Sequence, residues 1–172
     1  RLGFAVTVAA DKVGRAFIKP FYAQINSPLA GGRVSLWLLS AAQWFIAYLR
    51  DFEPRRIDAV TARRKVKIWT DAAGVTRRLA AVLWTGERWL YTVYTVSQQL
   101  WDQFLPREDD QIGMQELLAV PLALHTFQSE VSGTEALCFG DNDGVVASLI
   151  KGSNKALDTN LCVGQIWLDV NK

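Results

Sequence analysis

The chain has 172 residues, 50% of them hydrophobic, and a formal net charge of +2. This length and composition allow one sizeable hydrophobic core, with or without an appendage, and exclude a disordered chain. Its two cysteines, Cys138 and Cys162, form no CxxC or Cys/His spacing, which excludes a disulfide framework and a zinc site and favours a reducing, intracellular compartment.

The charge is distributed unevenly along the chain. Counting Lys plus Arg against Asp plus Glu gives 12 − 4 = +8 for residues 1–70 and 7 − 13 = −6 for residues 71–172. A basic first part and an acidic second part suit a phosphate-backbone contact surface beside a carboxylate cluster, and they suit ordinary solvated surface equally well. No signal pattern follows Arg1, so we expect the chain to begin inside a longer polypeptide.

The first predicted element is a helix over residues 11–20. Its basic residues recur at the helical spacing i, i+3, i+7 and predict a basic stripe formed by Lys12, Arg15 and Lys19. Such a stripe can follow a nucleic-acid backbone. A solvated helix face is the alternative interpretation.

The most apolar stretch of the chain, residues 34–49, predicts a second helix. Ser35 is a candidate N-cap, and Pro54 ends the element because proline disfavours helical backbone at the preceding residue. The stretch has 16 residues, interrupted by Ser40 and Gln43, and is shorter than the span needed to cross a bilayer. We therefore predict a buried or interface helix and no membrane partner.

From residue 62 onward the pattern is typical of an α/β domain. A helix is predicted over residues 114–127, followed by one more strand and two helices. Runs rich in β-branched and aromatic residues predict four strands, at residues 65–70, 79–84, 89–96 and 135–140. The predicted order is βββαβαα, with a helical segment at residues 1–61 and the α/β domain at residues 62–172.

Three carboxylates lie at the ends of predicted elements. Asp71 follows the first strand, Glu116 opens the helical run of residues 116–120, and Asp141 follows the fourth strand. Mg²⁺ prefers oxygen ligands, and two such ions can activate a water and stabilise the leaving oxygen in phosphodiester cleavage. The pattern therefore predicts that these acids bind Mg²⁺ or Mn²⁺. Because an unpaired carboxylate is costly to bury, Glu116 needs either solvent or a cation.

The segment after the fourth strand, Asp141-Asn142-Asp143-Gly144, is similar to the start of an EF-hand loop, but no ligands occupy the later positions. Because residues 145–150 are helical in pattern, Asn142 or Asp143 is a candidate N-cap of the next helix. We therefore assign only Asp141 of this segment to the metal.

Several separated motifs together carry a family resemblance. They are Trp69-Thr70-Asp71-Ala72, Gln115-Glu116-Leu117-Leu118-Ala119, Asp141-Asn142 with the later Lys151-Gly152-Ser153, and Gln165-Ile166-Trp167-Leu168. In order and interval they resemble the ribonuclease H domain of retrotransposon reverse transcriptases, over roughly residues 65–172. That family has a mixed sheet in the order 3-2-1-4-5, and an Asp-Glu-Asp-Asp set binds two Mg²⁺ ions and cuts the RNA strand of an RNA–DNA hybrid.

The resemblance implies that Asp71, Glu116 and Asp141 are catalytic metal ligands, with Glu116 also orienting the attacking water. It further implies that residues 1–50 join an upstream polymerase domain of the same polyprotein to the nuclease. The family's fifth strand and fourth acid follow the helix that contains Trp167, so we expect the final strand and a complete site to be missing. Expected phosphate contacts come from the basic residues before and within the first strand: Arg63, Arg64, Lys65 and Lys67.

Two alternatives to a ribonuclease H remain open. A non-catalytic connection-type module would use the same fold to hold nucleic acid or a partner subunit without cutting. An integrase core would act on DNA and would take an acid from its last helix, which makes Asp158 or Asp169 the candidate.

Overall fold

The computed structural model describes residues 11–27, 33–50, 62–108 and 111–170. These residues form helices and one mixed β-sheet, so the predicted α/β class is confirmed. In chain order the elements are α1 (Asp11–Ile25), α2 (Leu36–Arg50), β1 (Lys65–Ala73), β2 (Arg78–Trp84), β3 (Trp89–Thr95), α3 (Gln98–Trp101), α4 (Ile112–Thr126), α5 (Gln128–Val131), β4 (Glu135–Phe139), α6 (Asp143–Lys151) and α7 (Leu157–Val170).

The four described strands form one sheet in the order β3-β2-β1-β4. Strand β2 is antiparallel to both β1 and β3, whereas β4 runs parallel to β1. The hairpin turn between β2 and β3 is closed by Thr85, whose Oγ1 accepts hydrogen bonds from the backbone N–H groups of Glu87 and Arg88. Parallel strands need a long crossover, and helices α3, α4 and α5 supply it between β3 and β4.

One face of the sheet, which we call the covered face, packs against α4. Strand side chains alternate between the two faces, and the apolar residues of β1 and β2 that point to this face are buried. Ile68 and Leu83 are 0% exposed and lie in one cluster with Ala123 of α4 and Phe127. A neighbouring cluster joins Leu79, Val96 and Ala119. Burial of this face is the main apolar contribution to the stability of the sheet.

The opposite face, which we call the open face, exposes aromatic side chains. Tyr91 is 81% exposed, Trp89 61% and Phe139 44%. The ring of Trp69 on the central strand stacks on Phe139, with centroids 5.3 Å apart, and lies 5.5 Å from the ring of Trp89. Every residue of β4 is exposed. The aromatic contacts therefore stabilise a surface that the described residues leave largely accessible to solvent.

By its internal contacts the chain divides into two compact units, one of residues 59–150 and one of residues 1–58 with 151–172. The second unit contains α1, α2 and α7. Asn160 of α7 is buried there, donates a hydrogen bond to the carbonyl of Ala16 at 2.8 Å and accepts one from the backbone N–H of Asn154 at 3.0 Å. The predicted domains, residues 1–61 and 62–172, stay a prediction.

Several element boundaries differ from those predicted. Helix α1 extends to Ile25 with Pro20 inside it, and the short helices α3 and α5 were not expected. Their sequences are four residues long, too short to show helical periodicity. Ser35 does cap α2, because its Oγ accepts a hydrogen bond from Leu38 N–H at 3.2 Å. Pro54, the predicted end of α2, lies outside the described residues.

Helix α2 is only partly buried. Ala41 and Phe45 point into its unit, while Leu36 is 82% exposed and Ile46 60%. In the described part of the chain, no helix has both the length and the apolar character required to cross a membrane.

Because the side chains of β2 alternate between the two faces, shortening two neighbouring side chains should lower the free energy of unfolding by unequal amounts. Leu83→Ala should lower the free energy of unfolding by about 2–5 kcal/mol, because it removes a fully buried side chain. Val82→Ala, on the open face of the same strand, should cost less than about 1 kcal/mol. Urea titration monitored by circular dichroism measures both, and equal losses would contradict the assignment of the two faces.

Candidate metal site

Asp71 lies in β1, and Asp141 lies two residues after the end of β4, the strand parallel to β1. Trp69 of β1 pairs with Phe139 of β4, and each acid lies two residues further along its chain. Because neighbouring strands are about 4.8 Å apart, this register brings the two acids to one end of the sheet. Both side chains are exposed.

Strand β1 is longer than predicted, and Asp71 lies inside it. The strand was expected to end at Thr70, but its pairing with β2 continues through Ala73, which pairs with Arg78. Asp71 is opposite Ala80 in this ladder. Its Oδ1 accepts a hydrogen bond from the N–H of Ala72 at 2.8 Å.

Glu116 comes from α4, which begins at Ile112, so this residue lies within the helix and does not open it as predicted. Its two sequence neighbours, Gln115 and Leu117, are both fully buried. Gln115 Nε2 donates a hydrogen bond to the carbonyl of Gly74 at 3.2 Å, which attaches the beginning of α4 to the turn after β1. This attachment holds Glu116 near the end of β1 that carries Asp71.

The electrostatic environment of Glu116 links the three acids. Its partial burial raises the pKa of its carboxyl group, the charges of Asp141 and then Asp71 raise it further, and a side-chain hydrogen bond with Asn142 opposes them. Its Oε2 atom is buried and has no hydrogen-bond partner within the described ranges. Glu116 therefore lies within electrostatic reach of both other predicted acids.

The site has the donor chemistry for a hard divalent cation. Among the described residues, no three His, Cys, Asp or Glu side chains are arranged so that together they could hold a metal ion. The charges of Asp141 and Asp71 nonetheless disfavour the ionised form of Glu116, whose Oε2 lacks a hydrogen-bond partner among the described residues. A cation would relieve the repulsion and satisfy this atom, with waters completing the coordination shell of Mg²⁺ or Mn²⁺.

Asn142 belongs to the site, although the sequence suggested only a capping role for it. The N-cap prediction is confirmed: Asn142 Oδ1 accepts a hydrogen bond from Val145 N–H at 3.1 Å, and α6 begins at Asp143. Asn142 also lies near enough to Glu116 to lower the pKa of its carboxyl group, against the effects of burial and of the two aspartates. An Asn between a strand and a helix predicts a cap, but no sequence signal identifies a partner on a different helix.

The basic residues of the α/β unit are unequally available for phosphate contacts. Arg64 donates to the carbonyl of Glu130 and lies 3.6 Å from its carboxylate, and Lys65 lies 3.9 Å from Glu135. Arg63 and Lys67 are exposed. Lys65 and Lys67 share the open face, because the buried Val66 between them points the other way.

The predicted basic stripe of α1 contacts residues of its own unit. The Lys12 ammonium lies 4.5 Å from the ring centroid of Trp167, and Arg15 donates to the carbonyl of Lys151 at 3.2 Å. Lys19 donates to the carbonyl of Asn154, and burial, together with the charges of neighbouring lysines, lowers its pKa. These contacts give the stripe a structural role, and its predicted nucleic-acid contact stays a prediction.

Comparison of the chain with protein-family models, with curated proteins and with solved structures finds no match. The resemblance to ribonuclease H domains therefore depends on the motifs and on the site described above.

The origin of the raised pKa of Glu116 predicts a ranked response to two substitutions. Asp141→Asn should lower this pKa more than Asp71→Asn, because Asp141 contributes the larger of the two charge effects. Asp143→Asn, which changes a neighbouring carboxylate that does not contribute, is the matched control. Titration of the Glu116 carboxyl carbon by NMR measures all three.

The sign of the effect on stability also follows. Because the pKa of Glu116 is raised in the folded state, this residue destabilises the fold once the pH exceeds the ordinary pKa of a glutamate, and the full cost is present above the raised pKa.

In the titration experiment, an unchanged pKa of Glu116 in Asp141→Asn would show that Asp141 and Glu116 do not interact.

Proposed function

We propose that the α/β part of the chain is a ribonuclease H-like nuclease that hydrolyses the RNA strand of an RNA–DNA hybrid. The observation that carries the proposal is a buried, unpartnered oxygen on Glu116, a residue whose pKa is raised by its partial burial and by the charges of Asp141 and Asp71. The sheet order β3-β2-β1-β4 also agrees with the first four positions of the order 3-2-1-4-5 implied by the resemblance. The helix α4, which carries Glu116, lies in the expected place between β3 and β4.

In this proposal the three acids have different roles. Asp71 and Asp141, which are exposed, would hold the ions. Glu116 would ligate one ion and orient the attacking water. Bound Mg²⁺ would supply Lewis-acid stabilisation of the phosphate oxygens and lower the pKa of a bound water.

The fourth acid of the family is not assigned within the described residues. Asp169 lies inside α7 and accepts a hydrogen bond from Gln165 at 3.0 Å, and Asp158 Oδ1 accepts one from Thr159 N–H at 2.8 Å. Neither contact favours a metal-binding role. The upstream polymerase partner and the integrase alternative stay predictions.

A cleavage assay tests the proposal. With three of the family's four acids assigned, the chain should cut the RNA strand of a labelled hybrid slowly in Mg²⁺ and not in EDTA. Asp71→Asn and Asp141→Asn should each lower the rate by roughly 10²–10³-fold, the usual loss when one charge-stabilising group is removed from an active site. Asp143→Asn is the matched control, since it removes an adjacent carboxylate. Full Mg²⁺-dependent cleavage by Asp71→Asn would contradict the proposal.

A second candidate function is a non-catalytic module that holds nucleic acid. The open face supports it, because exposed aromatic rings can stack on bases while Lys67 on the same face contacts phosphate. Binding of this kind falls steeply with salt and needs no divalent metal.

The open face gives the second candidate its own test. In EDTA, Trp89→Ser should weaken binding of single-stranded RNA by about 1–3 kcal/mol, the usual contribution of one base stack. Lys67→Ala should weaken binding and reduce the salt slope by about 1. Fluorescence anisotropy measures these effects, and identical affinities for the wild type and Trp89→Ser would exclude the open face as the binding surface.

A further inference from the structure

A tight loop at the end of α6 packs against helix α1 in the second unit. The loop, residues 151–155, begins at the last residue of α6 and reads Lys-Gly-Ser-Asn-Lys. Gly152 has a φ of +74°, and a Cβ atom added there would lie 2.9 Å from Lys12 Cβ and 3.0 Å from the Lys12 carbonyl oxygen. Glycine accommodates both this backbone conformation and this close approach. The loop is therefore held directly on the backbone of α1.

Two basic side chains of α1 bind the backbone of the same loop. Arg15 Nη1 donates a hydrogen bond to the carbonyl of Lys151 at 3.2 Å, and Lys19 Nζ donates one to the carbonyl of Asn154. Lys151 ends α6, and the last carbonyls of a helix have no partner within it and favour nearby cations. These bonds fix two positive charges of α1 beside the loop.

The loop adds two further positive charges, because it begins and ends with a lysine. Lys151 and Lys155 are both exposed. Lys151 is the residue whose carbonyl binds Arg15, and Lys155 follows the residue whose carbonyl binds Lys19. In agreement with this geometry, burial lowers the pKa of Lys19, and the charges of Lys151 and then Lys155 lower it further. Four like charges are thus brought together by α1 and the loop.

These charges have no acidic counterpart among the described residues. None of the ion pairs within the described ranges includes a residue of α1 or of the loop. The carbonyl contacts explain why the fold needs Arg15 and Lys19, but they give no role to the charged ends of Lys151 and Lys155. Like charges that lie close together repel one another, and bound anions would offset this repulsion.

The arrangement of the charges favours a chain of anions over a single ion. Arg15 and Lys19 are four residues apart on α1, which separates them by about 6 Å along the helix axis. The exposed lysines at the two ends of the loop extend the same row of charges. A nucleic-acid strand presents one phosphate after another along its length, and several basic residues that each neutralise one phosphate bind it without reading its sequence.

We infer that four basic residues of the second unit form a surface that binds the phosphate backbone of a nucleic acid. This surface, which we call the basic loop surface, consists of Arg15, Lys19, Lys151 and Lys155. It differs from the stripe predicted along α1, because Lys12 contacts an aromatic ring and the loop lysines are added. The inference goes beyond the proposed function, since it concerns the other unit and requires neither a metal ion nor cleavage.

Substitution of the two loop lysines tests the inference with little effect on the fold. Binding of a fluorescein-labelled RNA–DNA hybrid to the full chain is measured by anisotropy in EDTA at 50 and 200 mM KCl. The double variant Lys151→Ala/Lys155→Ala should reduce the salt slope by about 2, so the fourfold rise in salt should weaken wild-type binding about 16-fold more than binding by the variant. Its melting temperature should stay close to that of the wild type, because both side chains are exposed.

Two further variants show whether position and charge are what matter. Arg50→Ala is the matched control, because it removes an exposed positive charge at the end of α2 in the same unit. This variant should keep the wild-type slope. The variant Lys151→Arg/Lys155→Arg retains both charges and should also keep the wild-type slope.

Three results would overturn the inference. One is a wild-type chain that does not bind the hybrid in EDTA, which would remove nucleic acid as the partner of this surface. Another is a wild-type slope and affinity in Lys151→Ala/Lys155→Ala. The third is a loss in Arg50→Ala as large as the loss per lysine, which would assign the effect to net charge alone. Because EDTA prevents Mg²⁺-dependent cleavage, each of these results is independent of the nuclease assay.

Discussion

The packing of helix α4 on the covered face of the sheet is the constraint on which the site depends. Buried side chains of β1 and β2 fix the position of the helix, and the contact of Gln115 with Gly74 attaches its first half to the turn after β1. Glu116 therefore lies on a packed helix close to Asp71 in β1 and to Asp141 just after β4. Groups that must act together are held accurately when they lie on or next to such packed elements.

The charges of Asp141 and Asp71, together with burial, make the ionised form of Glu116 destabilising to the fold. Burial and two neighbouring carboxylates make ionised Glu116 unfavourable, and only the hydrogen bond with Asn142 opposes them in the balance that sets its pKa. Strained or repelling groups persist when the surrounding structure fixes them, and they are concentrated at functional sites. A divalent cation would turn this repulsion into attraction. The proposed metal-binding role would therefore account for the presence of two aspartates close to Glu116.

The amino-acid pattern predicts the strands and the three acids, but not their tertiary relations. Alternation identifies β1 and β2, yet the end of β1 at Ala73 depends on pairing with Arg78, because the Asp71-Ala72-Ala73 segment has little strand propensity of its own. Periodicity identified the basic stripe of α1, but the contacts of Lys12 and Lys19 with residues 151–167 are visible only in the fold. The influence of Asn142 on the pKa of Glu116 connects residues that are distant in sequence and has no local signal.

The most direct test of the central claim is paramagnetic broadening of carboxyl-carbon NMR signals by substoichiometric Mn²⁺. If Asp71, Glu116 and Asp141 bind the cation together, their three signals should broaden first and at the same Mn²⁺ concentration, and excess Mg²⁺ should restore them. The signals of Glu87 and Glu130, in the hairpin turn and α5, should stay sharp. Broadening of all carboxylates alike, or of Asp71 and Asp141 without Glu116, would contradict the account.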